Sequence, residues 1–430
     1  MTVVRQGVLV SAVAAVAHLT YYCAMPALVF PDSVRYAALA AEFPARLTTG
    51  EWDLVSVPGY PFFLWLCGCW MTTAEAVVLA QHGFAIVTCG LLWLTVRRVC
   101  GARGALIGAL VVALSPFRHY YAQSVLTESL AEFLLVAGIC LIVVAARAPL
   151  VRLVVLRGIA GLILGAAVLV RANLMPAMVL SGLIPAGRCR RRRRWPRFAT
   201  AALASTIGWL CVISPWWRFN ARRDVHGLTG SAGYLFNEFA NLHGVGEAIA
   251  LPRESTPQLE RNLERIAWQR IRADPAGYAR AVVRTAVTMV WFFPIRGDVV
   301  PGIPQSRIPL DAGSLRGFQR APAPTGGAWR RAVHRVLSSV YKVLLSVGWL
   351  GLTAAGAAAL LRGRVEIAML TAVPIVGVLA LSLLVVNSAR YAFPFEALVL
   401  GLGLPAGWNT FSECLGVVRA KTGTHGAGGA

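Results

Sequence analysis

Residues 7–30 read GVLVSAVAAVAHLTYYCAMPALVF, an apolar run that ends where a polar loop begins. Such a run reaches the ~17–25 residues that an α-helix needs to cross a hydrocarbon core. The next stretch, residues 30–61, reads FPDSVRYAALAAEFPARLTTGEWDLVSVPGYP and has Asp32 as its third residue. If the run spans a bilayer, Asp32 emerges at the membrane surface, with water on one side and lipid-borne molecules on the other.

Similar apolar runs recur along the whole chain of 430 residues, of which 57% are hydrophobic and 14% charged. A soluble protein carries about 25% charged residues. The runs are too long and too continuous for the alternating strands of a transmembrane barrel. The sequence therefore predicts an all-α polytopic membrane protein with about ten (10–12) membrane helices, extracytoplasmic loops and short interfacial helices. The predicted spans are about 7–30, 74–96, 104–117, 129–146, 158–170, 174–187, 199–215, 336–361, 367–386 and 392–411.

The formal net charge of +22 would suggest nucleic acid as the partner of a soluble protein. In this chain the excess lies mostly in short loops after the second, fourth and sixth runs, which contain arginine and no acid. The loops after the first and third runs carry the acids. By the positive-inside rule, the N-terminus is cytoplasmic and the acidic loops are external, in the inner (plasma) membrane of a bacterium. This sidedness puts Asp32, Glu128 and Arg171 on the same face, and no nucleic acid is expected as a partner.

Four regions follow from this pattern. Residues 1–215 form an N-terminal membrane module whose first external loop, 31–61, is the candidate catalytic loop. The first run is read as an uncleaved span, because it is long and lacks a small-x-small cleavage site. The other regions are an extracytoplasmic or interfacial region (216–333), C-terminal membrane helices (334–412) and a flexible tail (413–430). If residues 282–295 cross the membrane, everything after them inverts.

Three charged residues are the main candidates for chemistry, and each has a simpler interpretation. Asp32 is either a general base, a group that steers a cation, or a residue that caps the next helix. Glu128 opens a predicted helix, where a carboxylate also favours the helix dipole. Arg171 lies between two short apolar runs. It is either a phosphate or carboxylate ligand near membrane level or part of a simple turn.

Other candidates are less specific. Arg390, followed by Tyr391, is a second possible anion ligand at a membrane interface. Tryptophans beside Arg218 are more typical of interfacial anchoring than of sugar stacking. The histidines lack metal-binding spacing, and the nine cysteines are scattered.

The order of these motifs resembles the GT-C membrane glycosyltransferases, in particular dolichyl-phosphate-mannose protein mannosyltransferases and aminoarabinose transferases. The matching segments are Pro31-Asp32-Ser33 with Tyr36 and Ala40, Pro58-Gly59-Tyr60-Pro61, Leu126-Thr127-Glu128, Gly161 and Gly165 before Leu169-Val170-Arg171, Pro215-Trp216 with Arg218 and Asn220, and Arg390-Tyr391 with Pro394.

The resemblance implies a GT-C-like bundle that transfers a sugar from a polyprenyl-phosphate donor to a hydroxyl of a glycan, lipid or protein on the extracytoplasmic side. It implies that Asp32 is the general base and Glu128 the second acid. No cofactor is certain, and a divalent metal is possible. The implied substrate-binding residues are Tyr36, Tyr60, Arg171, Asn173, Arg218, Arg390 and Tyr391.

Two departures from the family leave the acceptor open. Ser33 follows Asp32 where many mannosyltransferases have a second acid, and the soluble region is short. A multi-pass transporter or lipid flippase is the alternative function, with Arg171 and the acids lining a pathway. A non-catalytic scaffold for envelope assembly is a third.

Overall fold

The computed structural model describes residues 3–70, 73–185, 194–225, 227–230, 232–245, 247, 256–291, 328–362, 364–383 and 394–412. Within these ranges the regular structure is helical, apart from isolated bridge residues such as the pair Leu28 and Ser124. The predicted all-α fold class is confirmed.

The first half of the described chain contains the helices that surround the candidate site. They are α1 (Val3–Ala24), α2 (Pro31–Ala41), α3 (Phe43–Thr49), α4 (Gly59–Gly68), α5 (Ala74–Ala113), α6 (Pro116–Ala122), α7 (Glu128–Ala145), α8 (Leu150–Val170), α9 (Met175–Gly182) and α10 (Arg194–Arg222). The later helices are α11 (Ala232–His243), α12 (Pro257–Ala273), α13 (Pro275–Trp291), α14 (Ala328–Leu361) and α15 (Val365–Leu383). The last helix, α16, starts at Glu396–Leu398, becomes a π-helix over Val399–Gly403 and ends at 412.

Six of these helices are long and apolar enough to cross a membrane: α1, α5, α7, α8, α10 and α14. Gly101 interrupts the helical path of α5 with a φ of 79°, so this one element covers the predicted spans 74–96 and 104–117. The chain is a multi-pass membrane protein. The number of crossings stays a prediction, as do the region boundaries at 215 and 333, and the tail 413–430 lies outside the described residues.

The predicted boundaries of several helices differ from the structure. Helix α1 ends at Ala24 rather than near 30, and α9 spans only Met175–Gly182 rather than 174–187. Helix α8 begins at Leu150 rather than near 158, so Arg157 lies inside a helix and not in a loop. The guanidinium of Arg157 is buried. It donates to the carbonyl oxygens of Gly182, the last residue of α9, and of Ile184, which follows the helix. These hydrogen bonds satisfy a charge that the sequence pattern assigns to a loop.

Helices α8 and α10 approach each other closely through small residues. A Cβ atom on Gly161 would lie 2.2 Å from a carbonyl oxygen of α10, and one on Gly208 would lie 2.3 Å from a carbonyl oxygen of α8. Small residues at such interfaces allow membrane helices to pack backbone against backbone. The contact positions the end of α8, which leads into Arg171, relative to the end of α10, which carries Arg218.

Candidate active site

A short pairing of extended segments brings Asp32 and Glu128 to the same end of the helix bundle. The backbone of Leu28 makes two hydrogen bonds with residues 123–125, of 2.8 and 3.0 Å. The hydroxyl of Ser33 adds a third link, since it donates to the carbonyl oxygen of Val125 at 2.7 Å. Asp32 lies just after one segment, and Glu128 lies just after the other.

Asp32 lies in the first turn of α2, where a carboxylate is favoured by the helix dipole. Its side chain is 18% exposed and forms a 2.9 Å ion pair with Arg35. Arg35 also lies 3.7 Å from Asp53, whose carboxylate accepts hydrogen bonds from the backbone and the hydroxyl of Ser56. Arg35 therefore links the first turn of α2, which carries Asp32, to the turn formed by Asp53 and Ser56. The Asp32 carboxylate is thus held beside Arg35 while staying partly accessible, as a general base must be.

Tyr36 lies one helical turn after Asp32, at the centre of the charged groups. Burial, and next the nearby carboxylate of Asp32, raise the pKa of Tyr36 to about 12. Glu128 acts in the same direction, while Arg35 and Arg171 act in the opposite one. The phenol is thus within electrostatic range of both predicted acids and of Arg171. It remains a neutral hydrogen-bond donor across the physiological pH range.

Glu128 and Arg171 form a buried ion pair of 2.9 Å, with side-chain exposures of 1% and 5%. Glu128 is the first residue of α7, and Arg171 is the residue that ends α8 in an extended conformation. The hydroxyl of Thr127 donates to the second carboxylate oxygen of Glu128 at 3.3 Å. This ion pair therefore links the start of α7 to the end of α8 beside the site.

Tyr60 is fully buried, and its hydroxyl donates to Gln81 Oε1 at 3.0 Å. Gln81 Nε2 donates in turn to the carbonyl oxygens of Ala122 and Ser124. The ring of Tyr60 packs edge-on against Tyr36, with 5.1 Å between the centroids. Tyr60 therefore supports the site from beneath.

An open apolar groove of about 570 Å³ lies beside these residues. Gly59 and Leu169 contribute to it, and these residues are close in sequence to Tyr60 and Arg171. Two cations from α10, Arg218 and Arg222, are exposed at the groove. The full lining is Phe43, Leu47, Pro58, Gly59, Phe62, Leu169, Val212, Pro215, Trp216, Arg218, Phe219 and Arg222. Such a groove suits an amphipathic molecule with an apolar chain and an anionic head.

The remaining sequence candidates lie in different places. Asn173 is half-buried in a short 3₁₀ turn, and within the described ranges nothing donates to its Oδ1. Arg390 and Tyr391 lie outside the described residues. Over the described part of the chain, no group of three histidine, cysteine or carboxylate side chains has an arrangement that could hold a metal ion.

A second buried charge cluster was missed by the sequence analysis. Arg118 forms a 2.8 Å ion pair with Glu132, and both side chains are at most 2% exposed. Glu132 also accepts a hydrogen bond from the backbone of Ala397, and Glu396 accepts one from Ser115. The signal was Glu128 and Glu132 four residues apart on an otherwise apolar helix, a spacing that puts both on one face. The cluster fastens the start of α16 to α7, one turn from Glu128.

Comparisons with known proteins identify the fold. No protein-family model and no curated protein matches the sequence. The apo oligosaccharyltransferase from Archaeoglobus fulgidus superposes with a TM-score of 0.52 at 16% identity, over 99% of this chain and 52% of that one. The archaeal oligosaccharyltransferase AglB from Archaeoglobus fulgidus, in complex with an inhibitory peptide and a dolichol-phosphate, gives a TM-score of 0.51 at 15% identity, over 99% of this chain and 52% of that one.

Another structure, ArnT from Cupriavidus metallidurans bound to undecaprenyl phosphate, covers 92% of this chain and 78% of that one at 15% identity. Its TM-score of 0.38 is too low to carry weight. The chain therefore has the fold of the membrane region shared with this archaeal oligosaccharyltransferase, as the superpositions show. It spans about half the length of the solved oligosaccharyltransferases, and identities near 16% establish a shared architecture and not a shared reaction.

Proposed function

From this fold we propose that the protein is an integral membrane glycosyltransferase of the GT-C type that uses a polyprenyl-phosphate-linked sugar. The observation that carries the proposal is the gathering of Asp32, Tyr36, Glu128 and Arg171 beside an apolar groove rimmed by arginine. The site faces the extracytoplasmic side of the inner membrane, and the N-terminus is cytoplasmic. The transferred sugar is a hexose or a pentose, and the acceptor is a hydroxyl of an envelope glycan, lipid or protein.

In the proposed reaction, the acceptor oxygen forms a bond to the anomeric carbon of the sugar. The bond between that carbon and the phosphate oxygen breaks, and the acceptor proton passes to the carboxylate of Asp32. The polyprenyl phosphate leaves with the electron pair and an added negative charge. A cation at that oxygen lowers the barrier, because charge develops there in the transition state.

We assign the phosphate first to Arg218, which is exposed at the groove. Arg171 is already paired with Glu128, so in this scheme its main role is to hold Glu128 and the adjacent backbone in place. Asn173 completes the proposed substrate contacts, together with Arg390 and Tyr391, which lie outside the described residues. The polyprenyl chain occupies the apolar groove, whose walls include Phe43, Phe62 and Trp216.

In this proposal each region has the role that the sequence predicts for it. Residues 1–215 with loop 31–61 supply the catalytic groups, 216–333 form the extracytoplasmic region, and 334–412 complete the membrane bundle. The two candidate carboxylates of the site, Asp32 and Glu128, are each paired with an arginine. Activity measured with and without EDTA tests the requirement for a divalent metal.

The direct test is sugar transfer from a radiolabelled polyprenyl-phosphate donor to acceptors in envelope extract by the protein in nanodiscs. We expect Asp32→Asn to lower turnover by about 10²- to 10⁴-fold, the usual contribution of general base catalysis. Glu51→Gln is the matched control, since Glu51 is an exposed carboxylate of the same loop. Wild-type turnover in the Asp32 variant would refute the assigned base. Absence of transfer with every such donor, together with substrate movement across vesicles, would favour the transporter alternative.

A further inference from the structure

A second pocket lies at the far end of the helices that hold the candidate site. Its volume is about 590 Å³, and it is lined by Leu94, Arg97, Arg98, Val144, Arg147, Ala148, Pro149 and Arg152. Helix α7 separates Glu128 from this pocket by its full 18 residues, or about 27 Å at 1.5 Å per residue. That distance is close to the ~30 Å thickness of a hydrocarbon core, so the two sites face opposite sides of the membrane.

Four arginines line this pocket, from two adjacent connections of the chain. Arg97 and Arg98 lie near the break of α5 at Gly101, whereas Arg147 and Arg152 flank the turn between α7 and α8. The positive-inside rule accounts for arginines in both connections. It does not require that all four line one concave space.

Two contacts brace the wall of the pocket, and its lining carries an excess of positive charge. The guanidinium of Arg97 lies 5.6 Å from the ring centroid of Trp93, and Arg197 of α10 donates to the carbonyl of Ala148 in the pocket wall. Across the described ranges, no carboxylate forms an ion pair with any of the four lining arginines. Like charges this close repel one another, and an anion in the pocket would relieve that repulsion.

We propose that this pocket binds the phosphodiester headgroup of an anionic phospholipid of the cytoplasmic leaflet. Guanidinium groups bind phosphate oxygens in a bidentate manner, and basic pockets between membrane helices suit such headgroups. Leu94, which is exposed, and Val144 provide an apolar wall for the first part of an acyl chain. Free phosphate shares the headgroup chemistry but offers nothing to that wall.

The test uses the full chain purified in a neutral detergent. Native mass spectrometry counts retained lipid, and thermal unfolding is followed while phosphatidylglycerol, phosphatidylcholine or inorganic phosphate is added. We expect one retained anionic lipid, and stabilisation by phosphatidylglycerol but not by phosphatidylcholine. R147Q/R152Q, which changes two exposed side chains, should weaken phosphatidylglycerol binding at least tenfold.

The matched control is R362Q/R364Q, which removes the same charge from another exposed turn and should bind like the wild type. Equal phosphatidylglycerol binding by the wild type and R147Q/R152Q would overturn the proposal. So would equal stabilisation by inorganic phosphate, because the ligand would then be free phosphate. If R147Q/R152Q does not fold, R98Q alone tests the same pocket, since Arg98 is exposed.

Discussion

At the scale of single residues, Asp32 and Glu128 carry the same functional group in opposite surroundings. Asp32 is partly exposed and shares Arg35 with Asp53, so a substrate hydroxyl has a route to it. Glu128 is sealed and paired with Arg171. A carboxylate that takes a proton from a substrate must be accessible to that substrate. A carboxylate whose ion pair links two helices contributes most when water is excluded from the pair. We therefore expect Asp32 substitutions to affect chemistry and Glu128 substitutions to affect stability first.

The buried ion pair of Glu128 and Arg171 should couple the effects of substituting either residue. Glu128→Gln or Arg171→Met alone should each lower stability by about 3–5 kcal/mol, because each leaves a buried charge without its partner. The double variant should recover most of that loss, since no uncompensated charge remains. Thermal unfolding in detergent, combined as a double-mutant cycle, measures the coupling. Additive losses would mean that the two side chains do not stabilise each other.

Ser33 explains a departure from the family pattern at the same scale. Where many mannosyltransferases are expected to have a second acid, its hydroxyl donates to Val125 and accepts from the backbone of Phe30 at 3.0 Å. The side chain is fully buried. A carboxylate at this position would have to be buried and could not donate to the carbonyl oxygen of Val125. Ser33 is therefore a structural link between the two chain segments that carry the acids.

At the scale of elements, the Pro58-Gly59-Tyr60-Pro61 motif acquires a packing role. A Cβ atom on Gly59 would lie 2.5 Å from the carbonyl oxygen of Leu169, in the last turn of α8. Helix α4 can therefore begin against the backbone of α8 only if residue 59 is glycine. The contact fixes the position of Arg171, two residues after Leu169, relative to the start of α4.

Gly59→Ala should consequently move the end of α8. We expect a loss of about 1–3 kcal/mol in stability, the usual cost of overpacking, and a larger proportional loss of transfer activity. The control lies in the same helix, because a Cβ atom on Gly68 would meet nothing within 4 Å. Unfolding temperature and sugar transfer are measured for both alanine variants. If the two behave alike, the close approach at Gly59 does not position the site.

The length of α9 is another property of an element rather than of a residue. The apolar run suggests a helix to about 187, yet α9 ends at Gly182. Arg157 donates to the carbonyl oxygens that follow, which replaces the backbone hydrogen bonds of further helical turns. Hydropathy could not reveal this ending, because the partner lies 25 residues earlier in the chain.

At the scale of the whole molecule, the sequence predicted those features that the lipid bilayer imposes on any chain that crosses it. Apolar runs predicted the all-α fold and most helices, because every backbone group in lipid must be paired locally. The pairing of Leu28 with the segment before Glu128, and the contact of Glu132 with the start of α16, depend on which helices are neighbours. Hydrophobic periodicity carries no such information. The residues that hold the candidate acids in place could therefore not be predicted from the sequence.

The sidedness of the whole molecule supplies the last prediction. In a cysteine-free background, Thr48→Cys on α3 and Arg152→Cys on α8 report on opposite ends of the bundle, and both native side chains are exposed. Ser33 is unsuitable as a reporter, because it is buried. A membrane-impermeant maleimide should label Thr48→Cys in intact cells and Arg152→Cys only after permeabilisation.

The reason for this expectation is that the arginine-rich connections should remain in the cytoplasm. Labelling of both positions from the same side would contradict the crossing of α7 and α8. The reversed pattern would keep the fold but put Asp32 in the cytoplasm. A cytoplasmic site would face nucleotide-linked sugars as well as lipid-linked ones. The proposed dependence on a polyprenyl-phosphate donor would then lose its topological basis, and the donor would have to be identified afresh.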